Sequence, residues 1–346
     1  MNIDLLNIGN PCNQNCRQCF AQERCSSISL EEEIGLAKRI MEKNDASFFI
    51  YPKEASTNKE LIGFVASSGQ RYMLTNGSSI PIKSIKQAGI KKIKITLFSD
   101  QEEQWFWNRN SPEEYEKIKQ GIAACVNAGL QTEIYTIVTP KNISKLPSLY
   151  SLADKLGAKK INLLRLLPVG NARNISPDYL IKEDDLEELI SVTDPLKKDK
   201  GPYISFGMSF GPDFYGSSVW NFFRKNGSDW VTSKTLCPVV DNQYAGVSMK
   251  TRNVYWCFLL QTLEDAKIGN CSKQGRLDIK APDFSRETLT KKLRGNCSSD
   301  NCEYQELCLG GCRSYAYVFA RLRGETEPEY AGMDICRTQL RRKLGK

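Results

Sequence analysis

The sequence predicts an α/β protein, a partial (β/α)6 barrel of TIM-like form followed by a smaller cysteine-rich domain. From residue 3 to about 210, short β-branched runs alternate with amphipathic helical patterns, as in repeated β/α units around a parallel sheet. Beyond residue 211, glycines and aromatic residues cluster, and eight of the thirteen cysteines then follow between residues 237 and 336. Six or so repeats are fewer than a complete eight-stranded barrel requires, so we expect an open barrel.

The strand predictions rest on short runs rich in β-branched and aromatic residues, at 3–8, 46–51, 71–74, 92–97, 132–138, 160–166 and 203–208. Apolar spacing predicts the helices between them, at 29–42, 58–67, 82–88, 112–128, 145–156 and 183–192. The first helix opens with Ser29-Leu-Glu-Glu-Glu, a capping box. We place the barrel at 1–215, a linker at 216–236 and the cysteine-rich domain at 237–346, with ligand-binding loops after the strands' C-terminal ends.

Composition excludes several classes of protein. No apolar run approaches the roughly 20 residues of a membrane span, and the N-terminus lacks a secretory signal pattern, so a cytoplasmic protein is predicted. The net charge of +8 is scattered along the chain, which does not indicate nucleic-acid binding. In a reducing compartment, cysteines are more often metal ligands than disulfides. The chain has no histidine, so His-dependent nucleophiles and mixed Cys/His zinc sites are excluded.

Three cysteines follow the first predicted strand with the spacing C-x3-C-x2-C, at Cys12, Cys16 and Cys19. Three thiolates this close can hold three corners of a [4Fe–4S] cube and leave the fourth iron open. A structural zinc site is the alternative, but zinc takes four ligands, and Cys25 would have to serve as the fourth.

This spacing, on a loop at the C-terminal end of a strand, resembles that of the radical S-adenosylmethionine (SAM) superfamily. The resemblance implies that SAM chelates the open iron and is cleaved reductively to a 5'-deoxyadenosyl radical, which abstracts hydrogen from a substrate. It also implies an electron donor of the flavodoxin or ferredoxin type.

Further segments resemble the SAM-contact motifs of that superfamily. Tyr51-Pro-Lys-Glu54 is similar to a Gly-Gly-Glu turn without its glycines, and Leu74-Thr-Asn-Gly77 matches a recurrent turn. Ile95-Thr-Leu-Phe-Ser99 and Asn108-Arg109 resemble the next strand and its loop, and the stretch from Arg165 to Ala172 resembles Arg-x-x-Pro-x-Gly-Arg-Ala, with Asn171 replacing the later arginine. The resemblance implies that SAM is contacted by Glu54, Asn76, Thr96, Arg109 and Arg165.

The C-terminal cysteines resemble the SPASM domain, which carries the auxiliary iron-sulfur clusters of peptide-modifying radical SAM enzymes. The run C-x4-C-x5-C-x3-C from Cys297 to Cys312, followed by Cys336, departs from that domain only in a longer first gap. Eight thiolates saturate two [4Fe–4S] clusters, although two all-thiolate zinc sites are the alternative. By resemblance, one auxiliary cluster uses Cys297, Cys302, Cys308 and Cys336, and the other uses Cys237, Cys257 and Cys312, with Cys271 proposed as the fourth ligand.

Three features remain outside these sets. Cys125 is predicted to be a small buried hydrophobe on a helix, and Cys25 a surface thiol near the SAM loop. Trp105-Phe106-Trp107 is more often an aromatic cluster packed on a barrel than the flank of a substrate channel, so it is assigned no role.

The leading functional hypothesis is a maturase that oxidises a ribosomally made peptide, forming a crosslink, a thioether or another modification. Formylglycine formation is disfavoured, because Phe258 stands where sulfatase-maturing relatives place an aspartate. Only eleven residues precede Cys12, so we expect a separate leader-peptide-binding protein or the barrel mouth to hold the substrate. The alternatives are an oxidase or epimerase of a small molecule such as an amino sugar, and a non-catalytic iron-sulfur or zinc protein.

Overall fold

The structure is a computed structural model that describes residues 1–9, 12–21, 28–108, 112–196, 201–210, 237–297, 302 and 304–336. The predicted linker at 216–236 and Cys25 lie outside these residues. Within the described part of the chain, no helix has the length and apolar character needed to cross a membrane.

Parallel strands and helices alternate through the first two thirds of the chain, as predicted. The strands are β1 Asn2–Ile8, β2 Ser47–Pro52, β3 Tyr72–Thr75, β4 Lys92–Thr96, β5 Gln131–Val138, β6 Lys160–Arg165 and β7 Tyr203–Phe206. The helices are α1 Leu30–Lys43, α2 Lys59–Ser67, α3 Ile82–Gln87, α4 Gln101–Asn108, α5 Pro112–Asn127, α6 Leu146–Lys155 and α7 Asp185–Thr193. The capping box predicted at Ser29 is confirmed, because its hydroxyl accepts the N–H of Glu32 while the Glu32 carboxylate accepts the N–H of Ser29.

The later region consists of short strands and helices around the remaining cysteines. Its strands are β8 Tyr244–Ser248, β9 Asn253–Tyr255, β10 Lys267–Cys271 and β11 Leu277–Ile279. Its helices within the described residues are α8 Arg286–Lys292, α9 Gln305–Cys308 and α10 Arg313–Leu322.

The barrel is open and divided into two sheets. One sheet has the strand order β11-β10-β9-β8-β1-β2, and the other has the order β3-β4-β5-β6-β7. Side chains join the two sheets: the amide of Ile50 in β2 donates to Gln70 Oε1 at 3.0 Å, and the rings of Phe49 and Tyr72 lie 5.0 Å apart. The predicted fold class, a partial barrel with a cysteine-rich C-terminal region, is confirmed.

The cysteine-rich region shares a sheet with the barrel. Strand β8 pairs in parallel with β1, from Asn2 opposite Tyr244 to Leu6 opposite Ser248. The boundary predicted at residue 237 therefore falls inside a continuous sheet. Residue composition could not reveal this pairing, because the partners are some 240 residues apart in the sequence.

Polar side chains lie on the inner face of the barrel, since successive strand residues point to opposite faces. Ile3 and Leu5 of β1 lie in the main hydrophobic core, whereas Asp4 points to the other face and accepts a hydrogen bond from the Tyr244 hydroxyl. Burial raises the pKa of Asp4 to about 8, although the bond from Tyr244 opposes this shift.

We predict that Asp4 makes the stability of the fold depend on pH. Because its folded-state pKa lies above the ordinary value, its contribution is complete below about pH 4 and is lost as the pH rises through about 8. Asp4→Asn keeps the shape and the contact with Tyr244 but does not ionise. The free energy of unfolding of the native chain should therefore fall relative to that of Asp4→Asn, by at most about 1.4 kcal/mol per pH unit, in urea titrations between pH 5 and 9. A constant difference between the two chains would contradict the assignment.

Candidate functional site

The three N-terminal cysteines lie on the loop that leaves the C-terminal end of β1. Cys12, Cys16 and Cys19 are partly buried, and the Cys19 amide donates to the carbonyl of Cys16 at 3.3 Å. Burial raises the pKa of Cys16 well above its ordinary value, and Cys19 and Cys12 raise it further because neighbouring thiolates repel each other. The three thiols are thus gathered together, and they ionise favourably only with a positively charged centre among them.

One side of this cysteine loop is held by the segment that follows β6. The Asn171 backbone amide donates to the Cys19 carbonyl at 2.9 Å, and its side-chain amide donates to the Cys16 carbonyl at 2.9 Å. Gly170 has a φ of +59°, and a Cβ atom there would lie 2.6 Å from the carbonyl oxygens of both Cys19 and Phe20. Only glycine permits this close approach. The motif that resembled a SAM-contact stretch therefore holds the backbone of the cysteine loop.

The other side of the loop rests on α4. The Arg17 amide donates to the Trp107 carbonyl at 2.7 Å, and the Arg17 guanidinium lies 4.5 Å from the centre of the Phe106 ring. Gln18 donates to the side chain of Asn108 at 2.5 Å. The aromatic segment at 105–107, to which the sequence assigns no role, therefore packs against the cysteine loop and supports it.

Glu54 and Asn76 lie beside Cys12. The Asn76 amide donates to Glu54 Oε2 at 2.7 Å, and the Ser56 hydroxyl donates to Glu54 Oε1 at 2.7 Å. The Asn76 side-chain amide lies 3.9 Å from the sulfur of Cys12 and donates to Asn13 Oδ1 at 2.8 Å. Burial raises the pKa of Glu54, and these hydrogen bonds oppose the shift. The ends of β2 and β3 therefore bring two of the predicted SAM contacts to the cysteine loop.

Of the other predicted SAM contacts, Thr96 is the last residue of β4, at the same end of the barrel. Arg109 lies outside the described residues. Their predicted contacts with SAM stay predictions.

The structure gives Arg165 a different set of partners from the predicted one. Its guanidinium forms a buried ion pair with Asp334, and both side chains are at most 4% exposed. It also donates to the Ser209 carbonyl at 2.8 Å and lies over the rings of Tyr315 and Phe319, 5.0 and 5.3 Å from their centres. The prediction that Arg165 contacts SAM is therefore not supported, because this side chain links the barrel to the C-terminal region.

Four of the C-terminal cysteines line one cavity. Its wall contains Cys297, Cys302, Cys308 and Cys336, together with Leu293, Tyr304, Gln305, Gly310 and Met333. The backbone amide of Met333 donates to the sulfur of Cys297, and that of Gly311 donates to Cys308. Burial and the other three thiols raise the pKa of Cys308 far above its usual range. A set of thiols that faces one cavity and receives backbone N–H groups fits a bound iron-sulfur cluster.

Cys237, Cys257 and Cys312 form a second buried set. Cys312 is the N-cap residue of α10, and burial and Cys237 raise its pKa to about 12, although the nearby backbone N–H groups of Ser314 and Tyr315 oppose the shift. The Leu259 amide and the Ser314 side chain lie near the sulfur of Cys257 and oppose the rise of its pKa that burial causes. These three thiols share three features with the cavity set: burial, repulsion between neighbouring thiolates and backbone N–H groups near sulfur.

Cys271 lies apart from this set. Its amide donates to the Arg252 carbonyl at 2.7 Å, so Cys271 lies next to Arg252. Cys257 comes five residues after Arg252, and nearly extended chain at 3.3 Å per residue separates these two residues by roughly 16 Å. The charged groups that act on its thiol are Arg252 and Arg39, and burial raises its pKa to about 11. The hairpin therefore separates Cys271 from Cys257, and we do not carry forward its assignment as the fourth ligand.

Cys125 is fully buried in α5, and burial alone raises its pKa to about 11, in keeping with the predicted apolar role. Among the described residues, no three Cys, Asp or Glu side chains stand close enough to enclose a single metal ion.

Aromatic rings connect the cysteine loop, which carries Cys12, Cys16 and Cys19, to the second cysteine set. Phe20, which follows Cys19, meets the edge of Phe258, which follows Cys257, with ring centres 5.5 Å apart. Phe258 also stacks on Tyr51 at the end of β2, at 5.0 Å. The residue that replaces the aspartate of sulfatase-maturing relatives is therefore part of a packed aromatic contact between the two predicted metal sites.

We predict that Gly170→Ala displaces the cysteine loop. The new methyl group would overlap the carbonyl oxygens of Cys19 and Phe20, so the variant should lose roughly four irons per chain and the electron paramagnetic resonance signal of the SAM cluster. Gly129→Ala is the matched control, because Gly129 also has a positive φ but open space around it. Equal iron contents in the two variants would rule out the packing role of Gly170.

We also predict that Asp334→Ala destabilises the chain by about 3 to 5 kcal/mol, because it leaves the Arg165 charge buried without its carboxylate. Replacing both residues, Arg165→Met with Asp334→Leu, should recover most of this loss. Glu287→Ala, which removes an exposed ion pair with Lys291, should change stability by about 0.5 kcal/mol or less. Urea unfolding measures all three, and a loss in Asp334→Ala no larger than that in Glu287→Ala would contradict the buried pair.

Curated proteins with similar sequences are known for this chain. No protein-family model matches the chain. The AdoMet-dependent heme synthase of Nitratidesulfovibrio vulgaris is 23% identical over an alignment that covers 88% of this chain and 85% of the relative. That of Oleidesulfovibrio alaskensis is 22% identical, covering 96% of this chain and 86% of the relative.

Two solved structures share the fold over nearly the whole chain. Streptococcus suis SuiB bound to the precursor peptide SuiA has a TM-score of 0.66 at 13% identity, covering 95% of this chain and 74% of that one. Native anSMEcpe with bound AdoMet has a TM-score of 0.64 at 17% identity, covering 91% of this chain and 90% of that one. With the cysteine loop at the end of β1, these findings support a radical SAM superfamily enzyme, and that superfamily implies a [4Fe–4S] cluster and SAM.

Proposed function

We propose that this enzyme abstracts hydrogen from a ribosomally made peptide and oxidises it, with two auxiliary [4Fe–4S] clusters beside the SAM cluster. The observation that carries the proposal is the separation of ten cysteines into three sets, at Cys12, Cys16 and Cys19; at Cys237, Cys257 and Cys312; and at Cys297, Cys302, Cys308 and Cys336. The auxiliary clusters could accept electrons from the substrate, a step that hydrogen abstraction alone does not need.

The residues at the C-terminal ends of β1 to β4 would prepare the SAM site. Cys12, Cys16 and Cys19 would hold the cluster that, with SAM bound, supplies the 5'-deoxyadenosyl radical. Glu54, kept in place by the Asn76 amide and Ser56, would accept a hydrogen bond from the SAM amino group. Thr96 and Arg109 would contact SAM farther along the strand ends.

The auxiliary side would take the electron that a substrate radical releases when a new bond closes. Transfer of a hydrogen atom to the 5'-deoxyadenosyl radical, followed by loss of one electron and one proton, removes two hydrogen atoms from the substrate overall. Phe258 follows Cys257 and packs against Phe20 of the N-terminal cysteine loop, so a packed route from that loop to the auxiliary set passes through this ring. An external flavodoxin or ferredoxin would provide the electron for each SAM cleavage.

The fold likeness to SuiB bound to a precursor peptide, and to anSMEcpe bound to the Kp18Cys peptide, supports a peptide substrate. Phe258 cannot accept a proton as a carboxylate does, which favours crosslink or thioether formation over formylglycine formation. A separate leader-peptide-binding protein is proposed as the partner that delivers the substrate.

A second candidate is oxidation of a small molecule, as in the AdoMet-dependent heme synthases. It is favoured by sequence similarity to these proteins across 88% and 96% of the chain. The barrel interior is also basic: Lys92 pairs with Glu133 at 2.9 Å, and the buried Lys94 lies 3.9 Å from the centre of the Tyr72 ring. Burial lowers the pKa of Lys94 to about 7 despite Glu133, so an anionic group nearby would restore its charge.

We predict that the anaerobically reconstituted chain binds about 12 irons, from three cubes of four, and forms 5'-deoxyadenosine when reduced with SAM. Incubation with short peptides encoded beside its gene should yield a product that lacks two hydrogens by mass spectrometry. Alanine at Cys12, Cys16 and Cys19 together should remove roughly four irons and all SAM cleavage. Cys125→Ala is the matched control and should retain both.

The outcomes separate the candidates. Conversion of a porphyrin precursor with peptides unchanged would replace the peptide proposal with the second candidate. An iron content of about 4 per chain would overturn the auxiliary clusters.

A further inference from the structure

Arg313 is a fully buried arginine beside the auxiliary cysteines. It follows Cys312 directly, begins α10 and is 1% exposed. An arginine is rarely buried so completely without a paired carboxylate, because removing its charge from water costs several kcal/mol. The position therefore requires a compensating group.

Hydrogen bonds fix the Arg313 guanidinium between segments that carry cluster ligands. Nη1 donates to the carbonyl of Leu309, the residue after Cys308, at 2.9 Å. Nη2 donates to the carbonyl of Ala331, whose neighbour Gly332 packs against the side chain of Cys297. The Arg313 backbone amide donates to the sulfur of Cys237. One residue thus contacts the sulfur of Cys237 in one auxiliary set and the residue that follows Cys308 in the other.

Among the residues that the structure describes, no carboxylate compensates the charge of Arg313. Within the described ranges, no Asp or Glu forms an ion pair with it, and its Nε has no hydrogen-bond partner. Carbonyl oxygens reduce the cost of burial but bring no net charge. The acidic groups that act on the guanidinium are the thiols of Cys237 and Cys312 from one set and of Cys297 and Cys308 from the other.

We propose that Arg313 is the shared positive countercharge of the two auxiliary clusters and raises the reduction potential of both. The inference rests on the proposed function, since it requires both clusters to be present. A cluster held by thiolates becomes more negative when it accepts an electron, so a fixed cation nearby stabilises the reduced form. Low local dielectric strengthens this effect, and burial protects it from salt.

This placement has a functional consequence. An acceptor with a raised potential takes an electron from a substrate radical more readily. Because the same cation faces both sets, reduction of one cluster partly neutralises the effect of Arg313 on the other cluster. The two clusters should therefore differ in potential and fill in sequence.

The test compares Arg313→Met, Arg313→Lys and Arg321→Gln. Arg313→Met removes the charge and keeps much of the volume, whereas Arg313→Lys keeps the charge. Arg321 is the matched control on the same helix, because it is 41% exposed and paired with Asp265 on the surface. Each change is made in the full chain with Cys12, Cys16 and Cys19 replaced by alanine, so that only auxiliary clusters contribute. Redox titration is followed by electron paramagnetic resonance, with iron analysis of every sample.

In Arg313→Met, the ratio of reduced to oxidised cluster at a given potential should fall about tenfold for both clusters, equal to about 59 mV for a one-electron couple. Arg313→Lys should keep most of the parent ratio, and Arg321→Gln should match the parent. If Arg313→Met fails to assemble clusters while Arg313→Lys assembles both, the requirement for charge is likewise supported. Parent-like potentials in Arg313→Met, or the same loss in Arg313→Met and Arg313→Lys, would overturn the proposal.

The iron content separates this inference from the proposed function. A parent chain that binds roughly eight irons, with potentials independent of Arg313, refutes the countercharge alone. A parent chain that binds no auxiliary clusters refutes the proposed clusters and the inference together.

Discussion

The conflict between burial and negative charge at the cysteines is the constraint on which this structure depends. Burial raises the pKa of Cys16, Cys257 and Cys308, and the other thiols of the same set raise the pKa of each of them further. Thiolates are nonetheless the form that binds iron. The chain reduces this cost by placing backbone N–H groups near the sulfurs, and a cationic iron-sulfur centre bound at each set would remove the rest of it.

The local structure around each set provides these donors. Helix α10 begins at Arg313, directly after Cys312, so the N–H groups of its first turn lie near the sulfur of Cys312. Close packing holds the N-terminal loop, with Gly170 against its backbone on one side and Trp107 on the other. Strand β8 joins β1 in one sheet, and the Arg165–Asp334 pair ties β6 to the segment that carries Cys336. The barrel and the cysteine-rich region are therefore packed together, and this packing fixes the relative positions of the three cysteine sets.

The resemblance to the SPASM domain grouped the C-terminal cysteines. Local patterns in the sequence predicted the open barrel, the capping box at Ser29 and the loop that carries Cys12, Cys16 and Cys19. These features depend on spacing within a few residues, which a single sequence displays. The partners of Arg165 could not be predicted, because Asp334 lies 169 residues away and the surrounding motif pointed to SAM. Cys271 was grouped by counting thiolates, yet only the pairing of β9 with β10 reveals that it lies at the other end of the hairpin from Cys257. The aromatic cluster that contains Phe106 and Trp107 is visible in the sequence, but its contact with Arg17 depends on the tertiary fold.

Electron-nuclear double resonance on the reduced enzyme, with SAM isotopically labelled in its amino nitrogen, tests the central claim most directly. If Cys12, Cys16 and Cys19 leave one iron open, the label will show a hyperfine coupling to the cluster, and alanine at these three positions will abolish it. A cluster that is reduced in the presence of bound SAM but has no coupling to the labelled nitrogen would contradict the claim. Tightly bound zinc in place of iron at these cysteines would contradict it equally.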